Sequence, residues 1–143
     1  MTPRDQPIFR PTREGLAKVL GELEADVMEF VWSQSAPVSA RTVDDEIGPR
    51  TRVQYITLVT VLNNLWKKKL LTRRREGRAY LYSPRITRDD FLRRVSKEIL
   101  SGIVSLDRDL AITCFVDILA ESAPDELQRL KEQLAARRKE LEQ

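Results

Sequence analysis

The stretch VTVLNNLWKKKLLTRRREGRAYLYSP, Val59 to Pro84, decides the fold. Its first part sets Val59, Leu62, Leu65 and Trp66 three and four residues apart, the period of a helix buried on one side. Its second part alternates around a Glu-Gly pair, the period of strands. The change predicts a helix running into a β-hairpin, with strands Leu71 to Arg75 and Arg78 to Tyr82 around Glu76-Gly77. Tyr80 and Tyr82 then share the packing face of the second strand, and Leu81 takes the other.

Working upstream, Tyr55 and Leu58 extend the apolar side of the helix, and both Trp66 and Trp32 are expected in the core. The opposite side carries Thr57, Thr60, Asn64 and Lys67 or Lys68, with Ile56 and Asn63 at its edge. Before it, APVSARTVDDEIGP offers Ser39 as an N-cap, Val43 and Ile47 four apart, and Gly48-Pro49 as a stop. A short helix from about Ala40 to Ile47 follows. The segment LGELEADVMEFVWSQS places Leu23, Val27 and Phe30 or Val31 at helical spacing behind an acidic first turn. It predicts a helix from about Glu22 to Ser33. Residues 1–13 hold three prolines without apolar periodicity and read as a flexible arm. Three helices, a tight Gly-Pro turn between the second and third, and a wing of two to three strands describe a winged helix-turn-helix over residues 14–84.

Downstream the chain is helical, so the fold class is mainly α. In residues 85–143, Thr87 and Ser122 are cap candidates and three amphipathic helices follow. Their stripes are Phe91, Leu92, Val95, Ile99 and Ile103, then Leu110, Phe115, Ile118 and Leu119, then Leu127, Leu130 and Leu134. Such a segment makes a poor core alone, so its stripes are expected to be buried against a second copy. This is the expected C-terminal helical dimerisation domain. Cys114 lies on the same apolar stripe and is expected to be a buried small hydrophobe.

Of the 143 residues, 41% are hydrophobic and 33% charged, a balance that fits a globular chain. No apolar run approaches the roughly 18 residues of a membrane span, and the N-terminus lacks a signal-peptide core. A cytoplasmic protein without membrane insertion is expected. With no histidine and one cysteine, no nucleophile–base pair, metal site or cofactor site is evident, which argues against an enzyme. The net charge of +3 is unevenly spread. From Arg50 to Arg88 there are eleven Lys or Arg and one acid, Glu76, a local charge of +10 that leaves −7 for the rest. That segregation points to a polyanionic partner.

Double-stranded DNA fits this pattern. Gln54, Ile56, Thr57, Thr60 and Asn64 are candidates for base contacts in a major groove: amides pair with adenine, threonine bonds base edges, and isoleucine meets a thymine methyl. Arg50, Arg52, Lys67, Lys68, Arg73, Arg74, Arg75 and Arg78 are candidates for phosphate contacts, which set affinity and salt dependence rather than sequence choice. The alternative is an interaction adaptor whose winged helix docks a protein without sequence-specific DNA binding.

The segments LGELEADVMEFVW and VTVLNNLWKKKLLTRRREGRAYLYSP, with the trailing helices, resemble the penicillinase and methicillin-resistance repressors, the BlaI/MecI/CopY group of bacterial winged-helix regulators. The resemblance runs from about Leu20 to Leu141. It implies a homodimeric transcriptional repressor on an inverted-repeat operator, with interlocked C-terminal helices. In the β-lactam branch it implies a further partner, a sensor-linked protease, with Cys114-Phe115 at the cleavage position; Cys114 stands where cleaved members carry Asn. The cysteine cluster of the copper branch has no counterpart here. Lys69 replaces the glycine that usually ends the third helix. Because a left-handed lysine costs roughly 1 kcal/mol, a different helix end is expected.

Overall fold

The structure, a computed structural model, describes residues 8–143. A 3-10 turn, Gly15–Lys18, leads into α1 (Glu22–Ser33), β1 (Val38–Ser39), α2 (Ala40–Thr51) and α3 (Tyr55–Lys67). Then come β2 (Leu71–Glu76), β3 (Ala79–Pro84), α4 (Arg88–Leu106), α5 (Arg108–Ser122) and α6 (Pro124–Leu141). The chain divides into two compact units, with the division after Ser96, inside α4. Of the arm expected over residues 1–13, residues 1–7 lie outside the described residues. The remainder turns back on the 3-10 helix, where Arg10 N–H donates to Lys18 O at 2.7 Å and Lys18 Nζ to Pro11 O at 2.7 Å.

α1 spans the expected residues. Its buried positions, Ala25, Val27, Met28 and Val31, recur at three and four residues and face α2 and α3. Ser39 caps α2 as expected, its Oγ accepting from Thr42 N–H at 3.2 Å. α2 nevertheless outruns the Gly48-Pro49 stop and ends at Thr51. Proline removes one backbone donor, but the last turn is held by Thr51 Oγ1 donating to Ile47 O and Arg52 N–H donating to Gly48 O. The stop is Arg52 itself, in the left-handed region at φ 55°. The turn between α2 and α3 is therefore Arg52 to Gln54 and not Gly-Pro.

Leu58, Leu62 and Leu65 of α3 are fully buried beside Met28, Val31, Val43 and Ile47. Each such side chain contributes about 1.5–3 kcal/mol by leaving water. The sheet order is β1-β3-β2, all antiparallel, so the wing has three strands. The hairpin sits one residue later than expected: Glu76 pairs with Ala79, and Gly77-Arg78 form the loop. Gly77 sets this register, because at φ 62° it takes the first loop position of a tight two-residue turn.

Thr87 caps α4 through Asp90 N–H at 3.1 Å. Phe91 and Val95, expected on the dimer stripe, are buried at 3% and 4% exposure within the first unit. The ring of Phe91 packs on Trp32 at 5.7 Å, and Trp32 Nε1 donates to Ile86 O at 2.9 Å, so this first part of α4 closes the winged-helix core. Trp32, expected in the core, is half-buried at its edge.

The second unit, Lys97–Gln143, is a helical hairpin of α5 on α6 with the end of α4. Ser122 does not cap α6. It ends α5, with its Oγ donating to Ile118 O, and Ala123 precedes Pro124 at the first turn of α6. α5 and α6 hold no buried residue. Among the described residues no helix is long and apolar enough to cross a membrane.

Candidate nucleic-acid interface

α3 owes its orientation to the three leucines that anchor it. With those inward, Ile56, Thr57, Thr60, Asn64 and Lys67 all face solvent, and Gln54 stands exposed at its N-cap. Every expected base-contact residue is therefore accessible. Thr60 Oγ1 donates to Ile56 O at 3.0 Å, so its hydroxyl hydrogen is spent on its own helix and its oxygen can still accept. Ile56 is 63% exposed. An isoleucine so placed is suited to a thymine methyl.

Tyr55 departs from expectation. Its spacing puts it on the apolar side of α3, but at the first position of the helix it is 48% exposed. No periodicity argument separates an end residue from a central one on the same stripe.

α3 ends in a left-handed residue after all. Lys69 takes φ 64°, its N–H donates to Trp66 O, and Leu70 N–H donates to Leu65 O, each at 3.0 Å. This paired closure satisfies carbonyls that a helix end leaves free. Leu70 and Leu71 are buried, so the chain must turn sharply into the wing, and that requirement outweighs roughly 1 kcal/mol of backbone cost.

The expected phosphate contacts divide into two groups. Arg50, in the last turn of α2, and Arg52, Lys67, Arg74, Arg75 and Arg78 are all exposed. Arg74 reaches Glu76 only at 4.0 Å, a pair too solvated to hold it. Lys68 and Arg73 are instead engaged inside the fold. Lys68 Nζ binds both carboxylate oxygens of Glu24 at 2.7 and 3.0 Å, tying the end of α3 to α1. Arg73 faces Tyr82 across the sheet, and strand alternation turns it inward to the two tyrosines while Arg74 points away. Its guanidinium carbon lies 3.5 Å from the Trp66 ring centroid and 4.2 Å from that of Tyr80, and Nη1 donates to Asn63 Oδ1 at 2.9 Å. Trp66 is thus not core but 37% exposed under an arginine. Tyr82 is buried and Tyr80 packs beside it at 6.4 Å, as the packing face required.

Leu92, in the first unit, is half-buried; in the helical unit Ile99, Leu119, Leu127 and Leu130 are half-buried, and Ile103, Leu110, Phe115, Ile118 and Leu134 are exposed. Leu100, Ile103, Leu110, Phe115 and Ile118 line an apolar groove of about 310 Å³. Cys114 shares that groove and is exposed, against the expectation of burial, because no described residue covers the α5 stripe. The Cys114-Phe115 bond lies in the middle of α5, in regular helix.

A family model described as penicillinase repressor matches residues 20–136. The transcriptional regulator BlaI of Mycobacterium tuberculosis is 33% identical over 118 residues, covering 82% of this chain and 86% of that protein. The penicillinase repressor of Bacillus licheniformis is 26% identical over 123 residues, covering 85% of this chain and 95% of that protein. Among solved structures, the DNA-binding domain of the repressor BlaI aligns with 55% of this chain and 93% of its own, at 27% identity and a TM-score of 0.46.

Proposed function

The chain belongs to the penicillinase repressor family of winged-helix transcriptional repressors, and on that premise we propose that it represses as a homodimer on a dyad-symmetric operator. Each protomer lays α3 in the major groove, where Gln54, Ile56, Thr57, Thr60 and Asn64 read base edges. Arg50, Arg52, Lys67, Arg74, Arg75 and Arg78 hold the flanking phosphates. Two copies joined through the helical units set the spacing of the half-sites.

The observation that carries this reading is the outward face of α3. It is a continuous, accessible row of amides, hydroxyls and one isoleucine, with exposed arginines before the helix and in the hairpin after it. Support for the dimer comes from the apolar side chains of α4 and α5, which the single chain leaves in water. A large exposed apolar patch of this kind marks an interaction surface.

The test is a gel shift of the chain in which Arg74, Arg75 and Arg78 are all changed to Glu. The repressor reading expects DNA affinity to fall broadly across sequences, because phosphate contacts carry no sequence information. Unaltered DNA binding, or retention of another protein partner as the main activity, would favour the adaptor.

A further inference from the structure

We infer that Arg73 is the pin that fixes the wing against the recognition helix, a positioning residue and not one of the wing's phosphate contacts. The inference rests on the DNA-binding reading of α3 and the hairpin. The guanidinium carbon lies over two rings, Trp66 at 3.5 Å and Tyr80 at 4.2 Å, and Nη1 is spent on Asn63 Oδ1 at 2.9 Å. Two of these partners belong to α3 and one to β3, so a single side chain joins the helix that reads bases to the hairpin that carries Arg74, Arg75 and Arg78. The neighbours differ. Arg74 is exposed, and Arg75 lies 5.6 Å from the Tyr80 ring and donates Nε only to Gly77 O at 3.3 Å.

The chemistry explains why arginine occupies this place. A planar guanidinium can lie between two rings and still donate in its own plane, whereas an ammonium is a hydrated point charge that does neither. Beyond Leu81 and Tyr82, where β1 pairs with β3, the hairpin is a two-stranded ribbon, which on its own is marginally stable. Its arginines would have to be ordered when DNA binds, which weakens binding. With Arg73 in place, helix and wing meet the duplex at one fixed angle before contact.

Charge-preserving variants separate this role from a phosphate contact, using end-labelled duplex DNA of mixed sequence as the probe. Arg73→Lys keeps the charge and loses the stack; Tyr80→Leu keeps every charge and removes one face of it. Each is expected to bind about five- to tenfold more weakly at fixed salt, the scale of one lost cation–aromatic contact, with the salt slope unchanged. Arg74→Met is the reference for a true phosphate contact and is expected to lower the slope by about 0.9 per chain. In the free protein, Arg73→Met is expected to shift the indole emission by a component that is missing when Trp66→Phe is also made.

Binding of Arg73→Lys within about twofold of the parent, with a slope loss in Arg73→Met equal to that of Arg74→Met, would make Arg73 an ordinary phosphate contact and overturn the inference. An unchanged Trp66 emission in Arg73→Met would overturn it too, since no stack would then exist in solution. If Arg74→Met leaves the slope unchanged, the phosphate-gripping wing fails instead, and the emission and the Tyr80→Leu result still decide the pin. Should Arg73→Met not fold, Arg73→Lys and Tyr80→Leu decide it.

Discussion

Replacing Phe115 by Asp should separate the proposed dimer into folded monomers. Phe115 sits on α5 beside Ile118 and is 46% exposed in the single chain. Since a phenylalanine carries about 200 Å² of surface, roughly 90 Å² per copy is available for burial by a partner. At about 25 cal/mol per Å² that is ~2 kcal/mol, and a symmetric contact counts it twice, giving ~4–5 kcal/mol for the pair. A carboxylate brought to the same dry contact adds a desolvation cost of several kcal/mol. The dimer dissociation constant should therefore rise by at least about a thousandfold, at 1.4 kcal/mol per factor of ten. Sedimentation equilibrium across a micromolar concentration series reads this directly. Far-UV circular dichroism should stay close to that of the parent, because the site lies outside any core within the chain. A variant that sediments as the parent does, or a parent that is already monomeric throughout, would refute the reasoning.

Three further outcomes follow from named contacts. Ser39→Ala removes the cap on Thr42 N–H and should cost about 1 kcal/mol, seen as a lower midpoint in urea unfolding with an unchanged slope. Lys68→Met breaks the ion pair to Glu24, so it should lower the unfolding midpoint while leaving the salt slope of DNA binding unchanged; a slope loss of about 0.9 would show that Lys68 holds phosphate. Cys114 shares the groove with Phe115, so a thiol reagent should label it quickly in Phe115→Asp and slowly in the parent dimer; equal rates would place Cys114 outside the interface.

What could be read in the sequence was what local pattern and capping decide. The bounds of α1, the caps at Ser39 and Thr87, the order of three helices and a wing, and the accessible face of α3 all follow from spacing and from short polar side chains. Elsewhere the outcome depended on which neighbour covers a face. Phe91 and Leu110 lie on similar apolar stripes, yet Trp32 packs on the first, and the second is 57% exposed among the described residues. Pro49 reads as a helix stop, but Thr51 and Arg52 hold the turn around it. Lys69 stands left-handed because Leu70 and Leu71 must both be buried just beyond it. Among the wing arginines, charge alone could not distinguish Arg73 from Arg74. Strand alternation separates them, putting Arg73 on the face of the tyrosines and Arg74 on the other, but the contact with Trp66 depends on how the hairpin packs against α3.

The most direct measurement is a selection of duplexes from a random-sequence pool by the purified chain, followed by titration of the enriched sequence against a scrambled one at two salt concentrations. The account predicts an inverted repeat with half-sites about one helical turn, ~10 base pairs, apart or a multiple of that. It also predicts a preference of at least about a thousandfold over the scrambled duplex and an affinity that falls steeply with salt. A pool that stays random, with equal affinity for both duplexes, would contradict it.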